Sequence, residues 1–69
     1  MKNTELVLKN NVKKRRQELG LSQEDLAKKV GTTRQTIISI EKNVFCPTAR
    51  LALLLALALS TKFEDLFFF

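Results

Sequence analysis

The sequence predicts an all-α fold, a compact bundle of five short helices. Three observations carry that prediction. Residues that cap helix starts recur at short intervals, at Asn10, Ser22, Thr33, Thr48 and Thr61. Glycine stands where the first two helices must stop, at Gly20 and Gly31. Between these signals the apolar residues fall on single helical faces: Leu26, Ala27 and Val30 in one segment, Ile37 and Ile40 in the next.

Taken in order, Thr4 to Lys9 carries Leu6, Val7 and Leu8 without a helix cap and reads as an extended edge segment. Asn10 is a good N-cap for a first helix of about Asn11 to Leu19, closed by Gly20 in a left-handed conformation. Ser22 with Asp25 forms a capping box for a second helix, which runs through Val30 and stops at Gly31. Thr33 caps a third from Arg34 to about Lys42, and Asn43 to Pro47 form a loop. Thr48 caps a fourth from Ala49 to Leu59, and Thr61 with Glu64 makes a second capping box for a last turn around Phe63 to Phe67. A small terminal two-stranded sheet, pairing Phe67–Phe69 with Leu6–Lys9, is compatible with this order.

Sixty-nine residues hold one domain, residues 1–69, with no second core and no room for a ligand-binding module. The formal charge of +5 brings a polyanionic partner into view. One cysteine, Cys46, excludes an internal disulfide, and the absence of histidine excludes the usual zinc frameworks, so neither metal nor cofactor is expected. The first residues lack the pattern of a signal peptide. The longest apolar run, Leu51 to Leu59, has nine residues, whereas a membrane span needs about 20. A cytoplasmic protein without a membrane partner is the expectation. Without histidine or a paired-acid cleft, nothing is placed for general acid–base work, so an enzyme is not expected.

The most informative stretch is Gln23 to Asn43, QEDLAKKVGTTRQTIISIEKN. Ala27 is small where a second helix crosses closely, Gly31 supplies a positive φ, and Ile37 and Ile40 share the inward face of the following helix. Gln23, Ala27, Gly31, Ile37 and Ile40 thus stand in helix-turn-helix register, with the motif spanning residues 22–43. LGLSQEDLAKKVGTTRQTI resembles the phage-repressor and Cro-like class of helix-turn-helix transcriptional regulators, also called xenobiotic-response-element-like. VFCPTARLALLLALALSTKFEDLF is similar to that family's loop, fourth helix and terminal turn, so the resemblance covers about Asn10 to Phe67. It implies sequence-specific binding of double-stranded DNA, most simply by a repressor. The short members it most resembles bind as homodimers and carry a small terminal sheet.

The third helix can be read independently of that resemblance. With Arg34 at zero and about 100° per residue, Ile37 and Ile40 fall near 300° and 240° and must face the core. Arg34, Gln35, Ile38 and Ser39 then occupy the opposite side, the one that a major groove would receive. Arg34 suits guanine, Gln35 adenine and Ser39 either, while Ile38 or the methyl of Thr36 suits a thymine methyl. These match the family's base-reading positions.

Further roles come from the resemblance alone. Gln23 would contact a phosphate and buttress the recognition helix, and Thr33, Lys42, Asn43 and the backbone of Val44 and Phe45 would also meet phosphates. Arg16 would pair with Glu41 near the end of the recognition helix, as a positioning residue with a phosphate contact of its own. Its neighbours Lys13, Lys14 and Arg15 circle the first helix and read as a solvated face, and Lys28 and Lys29 as solubilising.

Ten of the eleven residues from Ala49 to Leu59 are apolar, Arg50 being the exception. A helix apolar all round must be covered on more than one side. Leu51, Ala52, Leu55 and Leu59 form the expected core side, while Leu54 and Leu57 share a second stripe with Arg50. The family commonly has polar residues at those two positions, so Leu54, Leu57, Phe67, Phe68 and Phe69 read as a homodimer interface. Internal cover by a C-terminal strand is the alternative, and a membrane-surface helix is disfavoured because flanking Lys and Arg are lacking. A dimer would set two recognition helices about 34 Å apart and demand a palindromic operator. The competing function is an antitoxin-like or adaptor protein whose helix-turn-helix mainly binds another protein.

Overall fold

In the computed structural model, which describes residues 7–69, the chain runs β1 (Lys9–Asn10), α1 (Val12–Glu18), α2 (Gln23–Val30), α3 (Arg34–Glu41), α4 (Ala49–Ala58), α5 (Phe63–Leu66) and β2 (Phe67–Phe68). The five expected helices are present, and the two strands pair antiparallel, Lys9 with Phe68 and Asn10 with Phe67. Among the described residues Val7, Leu8 and Phe69, expected in the sheet, lie outside the two strands, and Asn10 lies within β1. Residues 1–6, with Thr4 and Leu6 of the expected edge segment, lie outside the described residues.

Local hydrogen bonds start three of the helices. The side chains of Ser22, Thr33 and Thr48 accept from the backbone N–H groups of Asp25, Thr36 and Leu51. Each satisfies a donor that the first turn leaves unpaired. At α2 the capping box is complete, because the Asp25 carboxylate also accepts from Ser22 N at 3.0 Å. That bond, followed by the Ser22 hydroxyl acting as a donor toward the carboxylate, holds the Asp25 carboxyl below its usual range.

Two expected caps differ. Asn10 lies in β1, with Asn11 in the N-cap position, although the Asn10 side-chain oxygen still accepts from Val12 N at 3.1 Å. Lys62, and not Thr61, stands at the N-cap of α5, and no capping box with Glu64 forms. Thr61 is taken up by the preceding helix: its N–H donates to Ala56 O at 3.1 Å, closing α4.

All four longer helices end in this way. Gly20, Gly31, Asn43 and Ser60 have φ of 70°, 74°, 60° and 54°. In each case the following N–H reaches back into the last turn, from Leu21 to Arg16 O, Thr32 to Ala27 O, Val44 to Ser39 O and Thr61 to Ala56 O. This is the Schellman arrangement, which turns the chain sharply out of the helix axis. Two of the four sites use glycine. Asn43 and Ser60 hold the left-handed conformation with a side chain in place.

Val12, Leu26, Ile37, Ile40, Leu55, Leu59 and Leu66 are fully enclosed and form one core. From α4 the buried positions are Ala52, Leu55 and Ala56, with Leu59 at its end. Leu51 packs at the core edge instead of inside it, because the stripe through Ala52, Leu55, Ala56 and Leu59 follows the 3-4-7 helical repeat. Phe67 is also core, 5% exposed, which corrects its place among the expected interface residues. Strand pairing with Asn10 turns its ring inward, leaving Phe68 and Phe69 outside.

Candidate nucleic-acid interface

The helices α2 and α3 meet through Leu26, Ala27 and Val30 on one side and Ile37 and Ile40 on the other, all buried. The intervening turn opens at Gly31 and closes at Thr33, whose hydroxyl accepts from Thr36 N at 3.2 Å and lies 2.9 Å from the Thr36 hydroxyl. With two isoleucines in the core, the opposite side of α3 is fixed by geometry. Arg34 and Gln35 are exposed, and Thr36, Ile38 and Ser39 are half-buried. A shallow groove runs beside them, lined by Thr33, Gln35, Thr36, Ser39, Val44 and Phe45. The five expected base-reading residues therefore lie on one short helix, and three of them, Gln35, Thr36 and Ser39, line a continuous concave edge with the loop that follows.

A second group holds α3 from behind. Arg16 Nε donates to Glu41 Oε2 at 2.7 Å and Nη2 to Oε1 at 3.2 Å, while Nη1 donates to Leu21 O at 2.9 Å. Gln23 Nε2 donates to Glu41 Oε1 as well, at 3.1 Å. The pair is enclosed, with the side chain of Arg16 9% and that of Glu41 4% exposed. Two helices, α1 and α2, thus converge on the last residue of α3, and the fork of Arg16 matches the two oxygens of one carboxylate. This geometry corrects one expectation. Arg16 is buried and all three guanidinium nitrogens are engaged, so it positions α3 and has no face to offer a phosphate.

The expected phosphate-contacting residues divide. Thr33 and Lys42 are exposed at the two ends of α3, and neither Lys42 nor Arg34 enters an ion pair among the described residues. Gln23 is half-buried and spends an amide hydrogen on Glu41, so the buttressing role is the one its side chain performs. Asn43 accepts from Asn10 Nδ2 at 2.9 Å through its side-chain oxygen. The N–H groups of Val44 and Phe45 both turn back to Ser39 O, at 2.9 and 3.2 Å, so the contact expected through the Phe45 backbone is not open; Phe45 presents its exposed ring instead.

Two contributors have roles other than those expected, Arg15 on a solvated face and Asn10 as a helix cap. Arg15, one position before Arg16 in the same run of cations, donates from Nε to Leu59 O at 2.8 Å and from Nη2 to Ser60 O at 3.2 Å, clamping the end of α4. Asn10 reaches the end of α3 from the sheet, donating to Ile40 O at 3.0 Å. Both partners are distant in sequence, so neither contact shows in a local pattern. Among the described residues no group of three His, Cys, Asp or Glu is placed to hold a metal ion, and no helix is long and apolar enough to cross a membrane.

Comparison with known proteins adds to this geometry. Residues 12–66 match the family model described as helix-turn-helix. The chain is 48% identical over 60 residues to the uncharacterised HTH-type transcriptional regulator YgzD of Bacillus subtilis, covering 87% of this chain and 91% of that protein. It is 47% identical over 62 residues to an uncharacterised HTH-type transcriptional regulator of Methanocaldococcus jannaschii, covering 90% and 94% of the two chains. A protein of the same description from Archaeoglobus fulgidus is 40% identical over 62 residues, with 90% and 89% covered. Across most of its length, and with α2, the turn and α3 arranged as described, the chain belongs to the helix-turn-helix family of phage-repressor and Cro-like regulators.

Proposed function

We propose that the protein is a single-domain, sequence-specific DNA-binding regulator, most simply a repressor, which binds a palindromic operator as a homodimer with α3 in the major groove. The observation that carries this reading is the exposed start of α3. Arg34 and Gln35 project there, with no ion pair to Arg34 among the described residues, from a helix anchored by Ile37, Ile40 and the Arg16–Glu41 pair. Arg34 offers two donors to a guanine edge, Gln35 a donor and an acceptor to adenine, and Ser39 either partner. Ile38 and the methyl of Thr36 supply apolar contacts to thymine methyls. Thr33 and Lys42 bind phosphates at either end of the helix and set its register on the duplex.

The homodimer reading is supported by the apolar surface of α4 and the C-terminus. Leu57 is 78% and Phe69 67% exposed, with Leu53 and Phe68 also open and Leu54 half-buried beside them. Apolar surface on that scale in a domain this small favours a covered state over a free monomer. Two copies joined there read two half-sites. A cytoplasmic location and the absence of catalytic activity follow from the same reading.

Selection of bound duplexes from a random pool at fixed salt tests it. The expected product is an inverted repeat with half-sites about one helical turn apart. Enrichment of a single unrepeated site would remove the dimer, and recovery of no preferred sequence would turn the reading toward a protein-binding adaptor.

A further inference from the structure

We infer that Asn10 is a positioning residue for the DNA-facing loop, tying the terminal sheet to the end of the recognition helix. This rests on the reading of α3 and the loop after it as the DNA-binding face. Asn10 is paired through β1 with Phe67 of β2. Its side-chain amide donates to Ile40 O at 3.0 Å and to Asn43 Oδ1 at 2.9 Å, and its oxygen accepts from Val12 N at 3.1 Å. Both donors of the amide are therefore used, each on an oxygen some 30 residues away in sequence.

Those two oxygens control where the chain goes after α3. Ile40 O also accepts from Asn43 N at 3.0 Å, and Asn43 holds φ at 60°. The Val44 and Phe45 amides close on Ser39 O only while Asn43 keeps that conformation. Asn43 tolerates the left-handed region better than most residues, and the Schellman bonds hold it there, but it is not glycine and a further bond to its side chain strengthens that conformation. Asn10 adds that bond from outside the helix. Lys42 immediately precedes Asn43, so the position of the sheet bears on the group offered to the phosphate backbone.

The donors of Asn10 can be separated from its capping oxygen. Asn10→Asp keeps an acceptor for Val12 N and replaces both donors by an oxygen facing two other oxygens. Asn10→Ala removes all three bonds without adding charge. Asn43→Gly keeps the left-handed conformation and removes the partner of Asn10. Amide exchange in the DNA-free full chain, and affinity for the selected duplex and for a scrambled duplex across a salt series, are the measurements.

In Asn10→Asp and Asn10→Ala, exchange at Val44 and Phe45 should quicken about tenfold, the equivalent of one hydrogen bond removed. Core amides of α2 should keep their protection relative to the global opening of each variant. Both duplexes should be bound more weakly by the same factor, with an unchanged ratio between them. The plot of log K against log salt should flatten by about 0.9 for each phosphate that is no longer neutralised. Because Asn10→Ala carries no new charge, its slope distinguishes a misplaced loop from added repulsion. Asn10→Ala combined with Asn43→Gly should cost little more than Asn10→Ala alone.

Unchanged exchange at Val44 and Phe45 overturns the inference whatever the DNA result. Faster exchange with an unaltered salt slope overturns the link to DNA and leaves only a local role. A wild-type chain that binds neither duplex removes the proposed function itself, and with it this role; that failure is distinct because exchange is measured without DNA.

Discussion

Arg16 of α1 and Glu41 at the end of α3 form a two-pronged ion pair, 2.7 and 3.2 Å between their nitrogens and oxygens, inside the domain. Burial makes the pair asymmetric in its consequences. Forming it yields little net stability, because two ions must leave water, but removing one partner strands the other.

Glu41→Gln is therefore expected to destabilise the domain by about 3 kcal/mol, whereas Glu64→Gln, at an exposed site, should change stability by less than about 0.5 kcal/mol. In a domain of this size the first change lowers the melting temperature by more than about 10 °C. Equal melting shifts for the two variants would count against the structural role of the pair.

On the outer face of α3, a base-reading residue and a phosphate-binding residue should respond differently to truncation. Gln35→Ala should relax preference at one base position by about 1–3 kcal/mol. Lys42→Ala should weaken all duplexes alike and reduce the salt slope by about 1. Quantitative binding to a panel of single-base variants separates the two; a uniform weakening for Gln35→Ala would remove its base-reading role.

Leu57 is largely in water and contributes little to the core of one chain. Leu57→Glu should therefore leave the monomer folded, convert the homodimer to monomer in sedimentation velocity, and abolish tight binding to a palindromic duplex. An unchanged sedimentation profile would refute the α4 interface.

Ser60 carries a side chain at φ 54° and makes its cap through backbone groups alone, its carbonyl accepting from Arg15. Ser60→Gly removes the strain of a left-handed residue but gives the unfolded chain more freedom, for a net gain of about 0.5 kcal/mol. A rise in melting temperature of a few degrees is expected. Asn43→Gly should gain less or nothing, since it also forfeits the bond to Asn10.

Acid should weaken the start of α2. The Asp25 carboxyl sits below its usual value of 3.8 because Ser22 donates to it. Its contribution is fully present above that usual value and is lost as the pH falls through the lowered folded-state value. Asp25→Asn should lack this part of the acid dependence, so the melting temperatures of wild type and variant should draw together below about pH 4. Parallel curves down to the acid limit would argue against it.

What could be read from the sequence, and what could not, follows the range of each interaction. Ser22, Thr33 and Thr48 bond to backbone three residues ahead, so their helices were legible locally. Thr61 carries the same residue type, but Ser60 turns left-handed and commits the Thr61 N–H to α4 before α5 can use the residue as a cap. Within the site, the exposed and buried sides of α3 followed from helical spacing, whereas the Arg16–Glu41 pair came from family resemblance. Arg15 and Arg16 are neighbours of one chemistry with opposite destinations, decided by which helix each meets. Phe67 and Phe68 likewise differ only by strand alternation, and Phe69 lies past the end of the strand, distinctions that three identical residues cannot signal.

The terminal sheet also bears on the order of folding. Pairing Lys9 with Phe68 joins residues 59 positions apart, at an entropic cost of about 3–4 kcal/mol if the intervening chain is still free. Once α1 to α5 have packed, most of that cost has been met by other contacts. Closure of the two ends therefore belongs late on the pathway, with φ-values near zero expected for Asn10 and Phe67. A chain arrested just before that step would already hold α2 against α3, yet would lack the clasp from Asn10 to Asn43. It would be folded in its interior and unfinished at its working surface.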